Sequence, residues 1–335
     1  MNTSNLKRTV SVFLCALLTA SSMITFAGCS NENSKTSSVD EVAETSALTA
    51  STDDEVTAVD VLDELGIDAE TLGIEPNILY DTNHSVGFQL DMPQEGETIA
   101  IVHTSVGDIT LRLFPEQAPK AVTNFINLAK EGKYDNTAFH RVVRDFIIQG
   151  GHCGDDENNV NGTSSYGSNF EDEFCDKLFN IRGAVSMANN GTDSNGSQFF
   201  INQTDAETFA SEGGWAKLDG MWSEVKTQLS NYKDSDLLSA FIQKNGNNCY
   251  NTDIVSQEIR TLYETYGGNA YLDGAYNAVD RGHTVFAQVI DGMDVVDKIA
   301  VVQVDDENTP LESIIIESVE ITEYSSELST QNSTE

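Results

Sequence analysis

Basic residues are scarce in this chain: 18 Lys and Arg stand against 54 Asp and Glu over 335 residues, a formal charge of −36. So acidic a surface is repelled by phosphate backbones and anionic lipid heads, which argues against unaided nucleic-acid or membrane-surface binding. Cysteine and histidine number only five each. The histidines, His84, His103, His140, His152 and His283, include no pair at helical ligand spacing near a carboxylate, and no cysteine spacing suits zinc. Neither a metal nor another cofactor is expected. Long apolar runs are missing as well. The best of them, Val10 to Leu18, is too short and too broken by polar residues for a membrane span, which needs about 20 apolar residues. What remains is 39% hydrophobic and only 21% charged, enough apolar material for a packed core and too much for a disordered acidic chain. The length suits two domains, or one barrel-like domain carrying an insertion.

Acid is itself absent from residues 1 to 28, which hold Lys7-Arg8, the short apolar run and then Phe26-Ala27-Gly28-Cys29. A basic start, an apolar stretch and a small-residue site make an export signal. The last four residues resemble the lipobox of bacterial lipoproteins, with Phe26 where Leu is usual. That resemblance implies a diacylglycerol on Cys29, and two acyl chains anchor stably where one does not. The alternative is an ordinary cleaved signal with a chance cysteine. The protein is therefore expected on the extracytoplasmic face of a bacterial cell membrane, or secreted. Cys153, Cys175 and Cys249 then remain, enough for at most one internal disulfide and a spare thiol.

Residues 29–58 carry almost no large apolar side chain and read as a disordered acidic tether. In the extension at 59–96, Val59, Leu62, Leu65 and Leu72 are weakly helical until Gly73 and Pro76. Order becomes strong at Thr98, where Ile99 and Ile101 alternate with Ala100 and Val102. A turn at Val106-Gly107-Asp108 follows, and Ile109, Leu111 and Leu113 alternate with Thr110 and Arg112. Period two on both sides of a Gly turn is a β-hairpin. Pro119 opens a helix whose apolar face is Val122, Phe125, Ile126 and Ala129, ended by Gly132. The main domain extends to residue 323, and 324–335 form an acidic tail.

Five blocks then follow in order: TAFHRVVRDFIIQGGHCG at 137–154, FEDEF at 170–174, GAVSMANN at 183–190, SNGSQFFI at 194–201, and YLDG at 271–274 with HTVF after it. Alternation puts Phe139, Arg141 and Val143 on one face, so Arg141 reads either as a barrel residue with a buried stem or as a functional donor. Glu171, Asp172 and Glu173 read as structural and solvated.

Together these blocks resemble the cyclophilin family of peptidyl-prolyl cis–trans isomerases, over residues 97–203 and 270–323. The resemblance implies a mainly β fold: an eight-stranded antiparallel barrel capped by two helices, with the substrate groove outside it. It places the catalytic Arg on Arg141 and pocket or groove residues on Phe146, Ile147, Gln149, Gln198, Phe200, Leu272 and His283. It also places Ala188 and Asn189 on the strand that pairs with substrate. Tyr271 stands at the family's Trp position, which puts strong cyclosporin binding in doubt. Asp205 to Asn269 is an insertion where the family needs a short connection, and apolar residues at helical spacing make it a small helical subdomain beside the groove. Within it WAKLDG at 215–220 repeats LDG, so Trp215 or Leu218 competes with Tyr271-Leu272 for the pocket.

The function implied is isomerisation of X-Pro bonds in exported or surface polypeptides by a monomeric, lipid-anchored enzyme. The competing expectation is a non-catalytic module that holds a proline-containing partner. A solute-binding lipoprotein fits the size and the anchor but not the barrel blocks.

Overall fold

The computed structural model describes residues 57–154 and 159–326. The export segment, Cys29, nearly all of the tether and residues 327–335 lie outside the described residues.

In chain order the chain forms α1 (Asp60–Glu64), β1 (Ile78–Leu79), β2 (Thr98–Thr104), β3 (Gly107–Leu113), α2 (Pro119–Lys130), β4 (Thr137–Ala138), β5 (Arg141–Val143) and β6 (Ile147–Gly150). There follow β7 (Phe174–Cys175), β8 (Ala184–Met187), β9 (Phe199–Asn202), α3 (Ala206–Ser211), α4 (Gly214–Tyr232), α5 (Leu238–Asn245) and α6 (Gln257–Tyr266). The chain ends with β10 (Val285–Asp291), α7 (Met293–Ala300) and β11 (Ile315–Glu323).

Nine strands make one antiparallel sheet in the order β4-β11-β2-β3-β10-β8-β9-β6-β5. Its two edge strands, β4 and β5, are separated only by Phe139 and His140, so one bent stretch of chain joins both edges and the sheet curls into a barrel. The count is nine rather than eight because that stretch breaks where it leaves β11 and joins β6. The break also shifts the alternation: Phe139 lies in the barrel core, while Arg141 points outward. The expectation that both share one face is corrected here.

The hairpin follows its pattern, with Ile99 opposite Arg112 and Val102 opposite Ile109. Inside the barrel, Ile109, Leu111, Val142, Ile148, Val185 and Ile201 meet Phe125 of α2 and Val296 of α7. Burying a side chain such as Phe125 stabilises the fold by about 1.5–3 kcal/mol. The start of α2 is capped from a distance. Ala118 has no side chain to do it, and Glu173 accepts from the Lys120 and Ala121 N–H groups at 2.9 Å. Asp172 is likewise buried, accepting from Asp193 N–H at 2.9 Å and Asn195 Nδ2 at 2.8 Å. Both acids are structural, and neither is solvated, because each satisfies backbone or amide donors inside the protein.

The insertion is helical and adheres on two sides. Phe209, Trp215, Leu218, Ile259, Leu262 and Tyr263 share a cluster with Phe114, Phe179, Ile181 and Ala184 of the barrel flank. Trp222, Val225, Leu229 and Ile242 share another with Val61, Leu62, Ile67 and Ile74 of the N-terminal extension. The insertion rejoins the barrel through Gly267 and Gly268, both at positive φ. A Cβ on Gly268 would lie 2.4 Å from the Asn180 carbonyl oxygen, so no larger residue fits this crossing. Cys153, Cys175 and Cys249 are free and buried.

Candidate functional site

Strand register builds the site. Arg141 on β5 is opposite Gln149 on β6, which is opposite Phe200 on β9, which is opposite Ser186 on β8. Residues directly opposite one another share a face. The neighbours one step along, Val142, Ile148, Phe199, Ile201 and Val185, fill the barrel core. The row Arg141, Gln149 and Phe200 therefore lies on the outer surface, and Ile147, two residues from Gln149, joins it.

Beside this row Ile147, Ala188, Phe200 and Leu272 form a separate apolar cluster, with Phe146 and Tyr271 half-buried at its rim. The Phe146 and Tyr271 rings stack at 6.5 Å, and the His283 ring meets Phe200 edge-on at 5.1 Å. Phe146 reaches the rim through the tight turn Arg144-Asp145, where Asp145 takes a φ of 61°. Leu272 arrives on the turn that follows the insertion, held where His283 N–H donates to the Leu272 carbonyl at 3.0 Å. Of the two segments containing LDG, it is 271–274 that meets Phe200. Trp215 and Leu218 are in the core of the insertion.

The polar side of the site is a chain of side chains. Arg141 Nη1 donates to Gln149 Oε1 at 3.2 Å, and Gln149 Nε2 donates to Gln198 Oε1 at 2.8 Å. Ala188 N–H donates to the Gln198 carbonyl at 2.9 Å, tying the two strands together at the pocket. Asn189 turns away from the groove. Its amide donates to the Gly282 carbonyl at 2.8 Å and to Asp172, so a role in the groove falls to its backbone.

Electrostatics separate the groups. A carbonyl only accepts, so His283 Nδ1 donates to the Met187 carbonyl at 3.0 Å. Burial, with the Arg141 charge adding to it, pushes the His283 pKa down to about 4, against the pull of that hydrogen bond. His283 is thus a neutral donor to the backbone near pH 7. The Tyr271 hydroxyl is pushed up to about 12, by burial first and by Glu212 from the insertion second, while Arg141 pulls it down. No group of three or more His, Cys, Asp or Glu among the described residues is placed to hold a metal ion.

The fold thus brings together Arg141, Phe146, Ile147, Gln149, Ala188, Gln198, Phe200, Tyr271, Leu272 and His283, with Asn189 at the edge. Sequence reasoning missed His152, whose Nδ1 stands 2.7 Å from Gln198 Nε2, and the Val160 carbonyl, which accepts from the same nitrogen at 2.8 Å. No periodicity marks either residue, because both lie on loops. It also missed Tyr263, which secures the pocket turn from the insertion through Asp273.

The description "Cyclophilin type peptidyl-prolyl cis-trans isomerase/CLD" matches residues 99–221 and 265–321. A Staphylococcus aureus protein named as a peptidyl-prolyl cis–trans isomerase is 37% identical over 230 residues, covering 69% of this chain and 94% of that one. A Streptococcus pyogenes protein named as a bifunctional phosphatase/peptidyl-prolyl cis–trans isomerase is 37% identical over 239 residues, 70% of this chain. The match spans only 40% of that longer protein. Among solved structures, a cyclophilin-type isomerase of Cryptosporidium parvum aligns with a TM-score of 0.43 and 24% identity, over 68% of this chain and 99% of its own.

Proposed function

Because this chain belongs to the cyclophilin-type peptidyl-prolyl cis–trans isomerases, we propose that it isomerises X-Pro bonds of exported or surface polypeptides with Arg141 as the donor to the twisting amide. The observation that carries the proposal is the row Arg141, Gln149 and Phe200 on the outer barrel face beside the apolar cluster.

Rotation about an X-Pro bond meets a barrier of about 18–20 kcal/mol, because the amide loses resonance on the way. No bond to the protein is needed. The proline ring fills the socket of Phe146, Ile147, Phe200 and Leu272. The backbone at Ala188 and Asn189 and the side chains of Gln149 and His283 hold the flanks. As resonance breaks, the prolyl nitrogen regains a lone pair, and the Arg141 guanidinium bonds it. That bond exists only in the transition state, so it lowers the barrier rather than tightening ground-state binding. A ~10⁵-fold acceleration requires about 7 kcal/mol. A neutral His283 adds no second charge to compete for the amide.

The proposal places the enzyme outside the cytoplasm, tethered by lipid on Cys29. Its support is the acid-free leader and the Gly28-Cys29 pair, and mass spectrometry of the mature N-terminus tests it. The catalytic reading is tested by a protease-coupled assay on a proline peptide. Arg141→Ala is expected to lose on the order of 10²–10³ in rate, as for removal of one transition-state donor. Equal rates in the two proteins would remove Arg141 from the mechanism. Peptide binding without any isomerisation would leave the non-catalytic module instead.

A further inference from the structure

The polar chain at the groove does not end at the glutamines. Gln198 Nε2 donates to the Val160 carbonyl at 2.8 Å and stands 2.7 Å from His152 Nδ1, while Gln198 Oε1 accepts from Gln149, and Gln149 Oε1 accepts from Arg141. Both ends of this chain have fixed polarity. A guanidinium only donates and a carbonyl only accepts. Arg141 therefore sets Gln149 with its oxygen toward the guanidinium, and Val160 sets Gln198 with its nitrogen toward the loop. The second N–H of Gln198 then points at His152 Nδ1, which must accept. The proton of His152 is on Nε2.

We infer that His152 is a positioning residue for the isomerisation: by accepting the second N–H of Gln198 it holds that amide, together with the Val160 carbonyl, where Gln149 and through it the guanidinium of Arg141 need it. The inference rests on the reading of Arg141 as the amide donor and adds a residue that the motif does not supply.

Gln198 is buried, with 4% of its surface exposed, so an N–H that loses His152 has no water to turn to, only the His140 ring, which also lies against the Gln198 side chain with its buried Nδ1 unpaired. Its alternative is to tilt toward that ring. Tilting lengthens the bonds of Gln198 to the Val160 carbonyl and to Gln149, and Gln149 carries the displacement to Arg141. The ring of His152 is itself steadied by His140, edge-on at 6.4 Å, from the residue preceding Arg141. Both histidines belong to the loop and strand end that flank the groove, outside the apolar socket, so the effect falls on the reacting amide and not on the proline ring.

Two substitutions of similar size separate this role from packing. His152→Asn places an oxygen where Nδ1 stands. His152→Gln places its polar end where Nε2 stands and leaves Gln198 short of an acceptor. Proline-peptide binding and the on-enzyme exchange rate are measured separately by NMR exchange spectroscopy, with wild type and Arg141→Ala alongside. The inference expects His152→Asn to retain most of the rate. His152→Gln and His152→Ala lose about fivefold to tenfold in turnover, on the scale of one hydrogen bond, with peptide affinity unchanged. Imidazole ¹⁵N shifts of the wild type should show His152 protonated on Nε2. Equal effects of the Asn and Gln variants, a loss confined to affinity, or a proton on Nδ1 overturns the inference while Arg141→Ala remains slow. A wild type no faster than Arg141→Ala overturns the reading of Arg141, and this inference with it.

Discussion

Asp273 follows the pocket residue Leu272 and is fully buried, accepting from Asn180 N–H at 2.7 Å and Asn180 Nδ2 at 3.0 Å on one oxygen and from the Tyr263 hydroxyl at 2.6 Å on the other. Burial pushes its pKa up to about 7, against those three donors. The unfolded carboxyl releases its proton near 3.9, so between about pH 4 and 7 the folded protein holds a proton that the unfolded chain has lost. Stability from this group therefore falls as pH rises through that window. A rise of about three units at ~1.4 kcal/mol each is on the order of 4 kcal/mol, fully lost above pH 7. Asp273→Asn removes the titration while preserving shape, with its oxygen toward Asn180 and its nitrogen toward the Tyr263 oxygen. Urea denaturation of both proteins at half-unit steps from pH 4.5 to 8 isolates the effect, because the other shifted groups are common to both. Asp172 and Asp280, pushed up to about 6 by burial, and His283, pushed down to about 4, cancel in the difference. The variant should gain on the wild type steadily with pH, by a few kcal/mol over the range. Parallel curves, within the ~1 kcal/mol that denaturant extrapolation resolves, would refute the argument that this buried network is strained by charge.

Other outcomes follow from the same geometry. Tyr263→Phe removes one donor from Asp273 and should cost about 1–3 kcal/mol at pH 8 and less at pH 5, where the acid is protonated; an equal cost at both would contradict it. His283 keeps its neutral form down to about pH 4. Its contribution to stability is lost as pH falls from about 6.5 toward 4, where the unfolded imidazole takes a proton that the folded one refuses. An NMR titration midpoint above 6 for its ring would be the opposite result. Leu272→Ala should destabilise by about 2–5 kcal/mol and weaken proline-peptide binding, whereas Leu218→Ala should cost stability alone; a reversed pattern would return the pocket to the 215–220 segment. Cys175 and Cys249, pushed up to about 12 by burial, should resist a thiol reagent until the protein unfolds.

Local signals were legible where structure is local. The 99–113 hairpin follows from period two around a Gly turn, and α2 from Pro119 and an apolar stripe that enters the barrel core. The identity and order of the groove residues came from long motif strings, and all of them but the Asn189 side chain converge on one outer face. Parity arguments failed at Phe139, because alternation holds only within one paired strand and the chain changes partners there. Charge arguments failed at Asp172 and Glu173, because the donors that hold them, Asn195 and the start of α2, are remote in sequence.

By itself, then, the sequence determined the hairpin and α2 from short-range pattern, and its long motif strings carried the resemblance that implied the barrel, the arginine and the apolar socket. Only the tertiary structure decided which LDG segment closes the pocket, where the insertion adheres and which side chains line up behind Arg141. Those outcomes rest on contacts between residues far apart in the chain: Leu272 against Phe200, Tyr263 against Asp273, and His152 against Gln198. No one-dimensional pattern encodes them, because hydrogen-bond partners on loops are chosen by closure of the fold and not by spacing along the chain.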